Sequence, residues 1–168
     1  MLWISADPGC GKSVFVKYLV DSISEVTECR TTCYFFFKGD FQDQKSAASA
    51  LCYILHQLFM QRRILLFEKI LEKFEVEEEK LTSSFAELRV TLLSAAKDKN
   101  AGEIVCLHDG CEFHGRSQLA KALCKLYGIR NNFNLKFLLT SRPYSGIRGG
   151  VSASRGSRVA RHSPKWGK

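Results

Sequence analysis

Leu2-Trp3-Ile4-Ser5-Ala6-Asp7-Pro8-Gly9-Cys10-Gly11-Lys12-Ser13 decides the fold of this 168-residue chain. A short apolar run enters a turn with glycines at positions 9 and 11, and Val14-Phe15-Val16-Lys17-Tyr18-Leu19-Val20 follows as a helix. Strand, glycine-bearing turn and helix N-terminus form the context that gives the pattern small-x-x-x-x-Gly-Lys-Ser its meaning. The residue types suit a phosphate-binding loop. Gly9 and Gly11 let the backbone N–H groups from Gly9 through Cys10, Gly11, Lys12, Ser13 and Val14 converge on a polyphosphate. The helix N-terminus adds its positive end. Lys12 is placed to reach the β- and γ-phosphates, and the Ser13 hydroxyl to ligate Mg²⁺. Ala6 replaces the usual glycine at the first position, where a small residue suffices.

Working outward, apolar runs of strand length alternate with helical spacing, the signature of a parallel α/β sheet. Strands are expected at Leu2 to Ser5, Thr31 to Phe37, Glu103 to Leu107 running into Asp109, and Leu135 to Thr140. The second, Thr31-Thr32-Cys33-Tyr34-Phe35-Phe36-Phe37, is wholly β-branched, aromatic or small. Helices are expected from Ser13 to Ile23, Gln44 to Met60, Arg63 to Phe74, Ser83 to Ala96 and Ser117 to Tyr127, with Ser84 and Glu87 as a capping box. Glu75 to Glu79 reads as a solvated acidic stretch.

Two further strand ends carry chemistry. Ile104-Val105-Cys106-Leu107-His108 delivers Asp109 to the C-terminal end of a strand, where ligands gather in open α/β sheets and where an acid can hold the metal through water. Phe137-Leu138-Leu139-Thr140-Ser141-Arg142-Pro143 ends in a hydroxyl and a guanidinium, both placed to stand beside a γ-phosphate.

Composition bounds the rest. The hydrophobic fraction of 45% and charged fraction of 25% are those of a globular domain with a core. No apolar run has membrane-spanning length, and the N-terminus lacks the basic and apolar segments of a signal peptide. Seven cysteines are scattered without a CxxC pair, and Cys106 and Cys111 near His108 and His114 match no zinc spacing, so a cytoplasmic chain with reduced thiols is expected. The net charge of +8 sits in the tail: six basic residues and no acidic one lie between Ser145 and Lys168. Removing those six from 25 leaves 19 basic against 17 acidic residues in a nearly neutral body. The division is therefore a core at 1–145 and a Gly/Ser/Arg-rich tail at 146–168, expected to lack structure. Trp166 is the tail's one aromatic, too little for a specific nucleic-acid site.

The three constellations together resemble the NACHT-type NTPase domains of the STAND class, in particular the large fungal set related to the nephrocystin-like N-terminal NTPase. Leu2 to Ser13, Thr32 to Phe37 and Phe137 to Pro143 carry the likeness, which spans about Leu2 to Tyr144. It implies a three-layer P-loop NTPase core with a mostly parallel sheet and a nucleotide-dependent signalling switch. The ligand would be Mg²⁺ with ATP or GTP, with Ser13 and Asp109 toward the metal and Arg142 toward the γ-phosphate. Partners would be other family members or a second copy, with no membrane.

The family's second motif is Asp, a small residue, an apolar residue and two acids; here Asp109-Gly110-Cys111-Glu112-Phe113 keeps Glu112 for the first acid and puts Phe113 at the second. In family terms that second acid orients the attacking water, so hydrolysis is expected to be weak or absent. The likeness also implies a truncated member whose sheet is incomplete at its C-terminal edge. The Thr140 strand would then be left as an exposed apolar edge, prone to self-association. Two other readings stay open: an inactive fragment serving only as a protein-interaction module, and a basic-tail nucleic-acid binder.

Overall fold

A computed structural model of the chain describes residues 1–23, 29–37, 46–66, 71, 84–110, 134–143 and 158–161. Its strands are β1 (Leu2–Ser5), β2 (Arg30–Phe36), β3 (Glu103–Asp109), β4 (Leu135–Ser141) and β5 (Arg158–Arg161). Its helices are α1 (Lys12–Ile23), α2 (Ala47–Gln61) and α3 (Phe85–Lys97). The strands form one sheet in the order β2-β3-β4-β1-β5. Every pairing is parallel. A parallel pair cannot be joined by a tight turn, so the connections must cross the sheet faces.

Strand alternation divides the core in two. Trp3, Cys33, Phe35, Phe37, Cys106, Phe137 and Leu139 point to one face and pack with Ile54, Leu55 and Leu58 of α2 and Leu88 and Leu92 of α3. Leu107 and Leu138 point to the other and meet Val16 and Val20 of α1. Helices thus cover both faces, giving three layers. The α2 face carries the greater load: Leu51, Ile54, Leu55 and Leu58 are almost wholly buried. Each contributes about 1.5–3 kcal/mol of transfer free energy before entropy is counted.

Local chemistry sets the ends of the helices. Ser46 caps α2 by accepting the Ser49 N–H at 2.9 Å, and Ser84 caps α3 by accepting the Glu87 N–H at 3.5 Å. The latter is the first half of the expected capping box. At the N-terminal end of the sheet Glu103 joins β2 to β4, held by Lys136 and, at 2.7 Å, by Arg30. Those bonds, Lys136 first, hold the Glu103 carboxyl below its ordinary range.

Three expectations need correction. The helix expected from Arg63 begins instead as a 3₁₀ turn, Arg63–Leu65, because the chain leaves helical geometry at Arg62 (φ −132°, ψ 73°). Leu65 is fully buried by that turn, so packing overrides helical propensity. Residues 67–70 and 72–74 of that segment lie outside the described residues, as do 111–133 with the expected Ser117 to Tyr127 helix. The sheet is also not cut off beside the Thr140 strand. β4 lies between β3 and β1, paired on both sides, so it is not an exposed edge and the self-association expected of it loses its basis. Residues within the expected unstructured tail supply β5, in register Leu2↔Arg158 to Ser5↔Arg161 against β1. A strand's backbone can be satisfied by pairing alone, so polar composition does not prevent it from joining a sheet.

His108 sits in the α2 and α3 face with neither ring nitrogen bonded among the described residues. It is stacked between Phe37 and Phe137 at centroid distances of 6.3 and 6.0 Å. Burial pushes its pKa from 6.5 down to about 4, so it is neutral in the folded chain. The unfolded chain takes up a proton below 6.5 that the folded chain refuses until about 4, so stability falls with pH across that window. We expect a loss of about 2 kcal/mol between pH 7 and pH 5. Urea unfolding at the two values should show it, and His108→Phe should abolish most of the difference. An equal pH dependence in the variant would assign the effect elsewhere.

Candidate functional site

The loop between β1 and α1 begins at Ala6, whose N–H donates to the Ser141 carbonyl at 3.3 Å. It turns through Asp7 and Cys10, with the Cys10 N–H donating to the Asp7 carbonyl at 3.4 Å. Gly9 (φ 80°) and Gly11 (φ 73°) both occupy the left-handed region that favours glycine. Among the described residues a Cβ at either would meet nothing within 4 Å, so the glycines answer a backbone demand and not a steric one. Lys12 folds back over the loop and donates to the Ala6 and Asp7 carbonyls at 2.7 and 2.9 Å. Ser13, Val14, Cys10, Gly9 and Gly11 are exposed. The first turn of α1 carries no acid of its own to offset its positive end.

Strand order determines what stands beside this loop. β1 leads through α1 toward β2, whereas β4 precedes β5 on the other side, so the carboxyl ends of β1 and β4 flank a point where the chain reverses direction across the sheet. Crevices form at such points in open α/β sheets. The register Ser5↔Ser141 brings the end of β4 level with the start of the loop. The Trp3 indole donates to the Ser141 hydroxyl at 3.0 Å, and that hydroxyl donates to the Arg142 carbonyl at 2.9 Å. Arg142 is therefore anchored beside the loop by its backbone, with its side chain exposed.

Asp109 ends β3 and is buried. The Thr140 hydroxyl donates to its Oδ1, and the Gly110 N–H donates to the Thr140 oxygen at 3.2 Å. The Asp109 carbonyl accepts the Phe37 N–H at 3.0 Å, tying it to the end of β2 as well. The structure thus brings together the loop, Asp109 and Arg142 at one end of the sheet. Glu112, Cys111 and Phe113 lie outside the described residues. Of the two hydroxyls at the end of β4, that of Thr140 is engaged by Asp109 and that of Ser141 by Trp3 and the Arg142 carbonyl.

Trp3 and Thr140 as positioning residues were not read from the sequence. Their signal is parity: Thr140 shares the strand face of Leu138, and Ser141 that of Leu139, so each hydroxyl has a different neighbour. Five described cysteines are free. Burial pushes the Cys33 thiol up to about 12 and also raises that of Cys106, whose neighbour Cys33 adds to the shift. These thiols are packing groups. Among the described residues no cluster of side chains forms a ready metal site, and no helix is long and apolar enough to cross a membrane.

A family profile described as Nephrocystin 3, N-terminal, matches residues 1–142. The chain belongs to that family. No curated protein matches it. The matched span of this nephrocystin-3 N-terminal domain contains β1 to β4, the loop, Asp109 and Arg142, and excludes β5.

Thr140→Val tests the positioning of Asp109. It keeps the shape of the side chain but removes the hydroxyl that bonds a buried carboxylate oxygen and the Gly110 N–H, at a cost of about 1–3 kcal/mol. Thr140→Ser should recover most of that stability in urea unfolding. Equal stability of Thr140→Val and the parent chain would show that the hydrogen bond is of no consequence.

Proposed function

We propose that this domain binds the polyphosphate of a nucleoside triphosphate, ATP or GTP, together with Mg²⁺, as a NACHT-type member of the STAND class of P-loop NTPases. The observation that carries the reading is the loop itself. Among the described residues nothing crowds Gly9 or Gly11, and Lys12 is turned onto the loop's own Ala6 and Asp7 carbonyls. An ammonium on two carbonyls is a replaceable arrangement, since a phosphate offers the same donor a full negative charge. The backbone N–H groups from Gly9 to Val14 at the N-terminus of α1 supply the anion's remaining partners.

The residues also suit the metal. Ser13 is exposed at the start of α1, and Asp109 is a carboxylate fixed at the end of β3 by Thr140. A hard divalent cation favours such oxygen donors. When bound, the ion neutralises charge on the phosphate oxygens. Ser13 and Asp109 hold the ion, Lys12 holds the phosphates, and Arg142 stands level with the loop to meet the terminal one. The fold then serves as a nucleotide-dependent signalling switch. Phe113 stands where the resemblance puts a water-orienting acid, and a phenyl ring accepts no proton, so the reading is of binding with weak turnover.

Lys12→Ala should weaken Mg·ATP or Mg·GTP binding by about ten- to hundredfold, since it removes a charge-assisted contact worth about 1.5–3 kcal/mol. Calorimetry on both chains measures this, and equal affinities would refute the role assigned to the loop. Turnover should stay near background with nucleotide bound and rise in Phe113→Glu. Phosphate release assays on the two chains read the difference, and brisk hydrolysis with Phe113 in place would defeat the catalytic half of the proposal.

A further inference from the structure

Among the described strands β2 has a neighbour on one side only, β3. Successive residues of a parallel strand send their backbone groups to alternate sides, so Thr32 and Tyr34 face outward from the sheet. Three of those four outward groups are bonded by side chains of α2. The Tyr34 N–H donates to Gln57 Oε1 at 2.9 Å, and Gln57 Nε2 donates to the Tyr34 carbonyl at 2.8 Å. One turn further along α2, Gln61 Nε2 donates to the Thr32 carbonyl at 2.9 Å. A side-chain amide carries the donor and acceptor of a peptide group, so Gln57 presents to Tyr34 what a neighbouring strand would.

The spacing is dictated by geometry. Four residues of helix rise about 6 Å, and two residues of strand rise about 6.6 Å. Glutamines at positions i and i+4 of α2 therefore meet residues j and j−2 of β2, two outward-facing positions in succession.

What this occludes follows from the strand. Charge enters β2 only at Arg30, at its start, where Glu103 holds it; Thr31-Thr32-Cys33-Tyr34-Phe35-Phe36-Phe37 has no charge, proline or glycine, the features with which sheet edges are usually protected. Seven such residues have the composition of a self-pairing segment. Two copies of one edge can pair antiparallel about a twofold axis, each offering the other the same residues.

We propose that Gln57 and Gln61 form an amide clasp that substitutes for a neighbouring strand on β2, and that opening it converts this edge into a docking surface for a second copy of the chain. The clasp acts independently of any nucleotide. It suppresses association that the strand's composition would otherwise favour.

The test uses the full chain. Gln57→Ala/Gln61→Ala should elute in sizing chromatography as a species at least one copy larger than the parent, growing with concentration, while its circular dichroism stays native. Adding Tyr34→Lys should restore the parent's elution, because pairing would bring like charges together on the edge. Parent-like elution of the folded double variant overturns the proposal, and so does association that Tyr34→Lys leaves unchanged. Hydrogen exchange on the unsubstituted chain provides a measurement independent of any variant. The Tyr34 amide should be slowed about a hundredfold or more relative to an unprotected amide, and fast exchange there would equally overturn the clasp.

Discussion

The hydrogen bonding of β4 to both of its neighbours is the constraint on which the rest of the structure depends. Through β1 it aligns Ser141 with Ser5 and receives the Ala6 N–H, so the glycine-bearing loop starts from a fixed point. Through β3 it sets Thr140 against Asp109, so a carboxylate buried at the end of one strand is held by a hydroxyl from the next. A single strand, inserted late in the chain, therefore fixes groups separated by more than a hundred residues in sequence. Alternation along that strand sends Thr140 and Ser141 to opposite faces, where they serve Asp109 and Trp3 respectively. A shift of one residue in register would exchange those roles and bury the wrong side chains.

Among the described residues the two faces of the sheet are unequally filled. Large aliphatic residues of α2 and α3 fill the face shared by Trp3, Phe35 and Phe137, and among the described residues that face carries most of the buried apolar side chains. The α1 face holds a smaller cluster around Val16, Val20, Leu107 and Leu138. The element that follows the loop is thus anchored by few buried residues, leaving Val14 and Tyr18 substantially exposed. Positioning near the loop comes chiefly from backbone pairing and hydroxyl bridges. It does not depend on deep packing of the loop.

Much of this was legible in the sequence, for identifiable reasons. Leu2 to Ser5, Glu103 to Asp109 and Leu135 to Ser141 are short apolar runs bounded by polar residues or turns, and they fold as strands with ends within a residue of those expected. The pair of glycines around Cys10 signals positive φ because other residues resist it, and both glycines adopt it. Ser84 announces the start of α3 by its own chemistry. The misreadings share a cause in tertiary context. The 3₁₀ turn at Arg63 follows from the burial of Leu65, which no local pattern reports. Strand β5 gains its stability from pairing with β1, so its Arg-bearing composition conceals it. The engagement of Thr140 by Asp109 depends on which strands are neighbours, information absent from either segment alone.

Trp3 gives the molecule an optical property that none of its structural roles would require. The chain has two tryptophans, and Trp3 is buried with its indole N–H bonded to Ser141, one residue from Arg142 and one strand-length from the loop. An indole's emission responds to the polarity and hydrogen bonding around it. The tie that steadies the end of β4 is therefore also a built-in fluorophore. It reports from inside the sheet on whether β1 and β4 remain locked together.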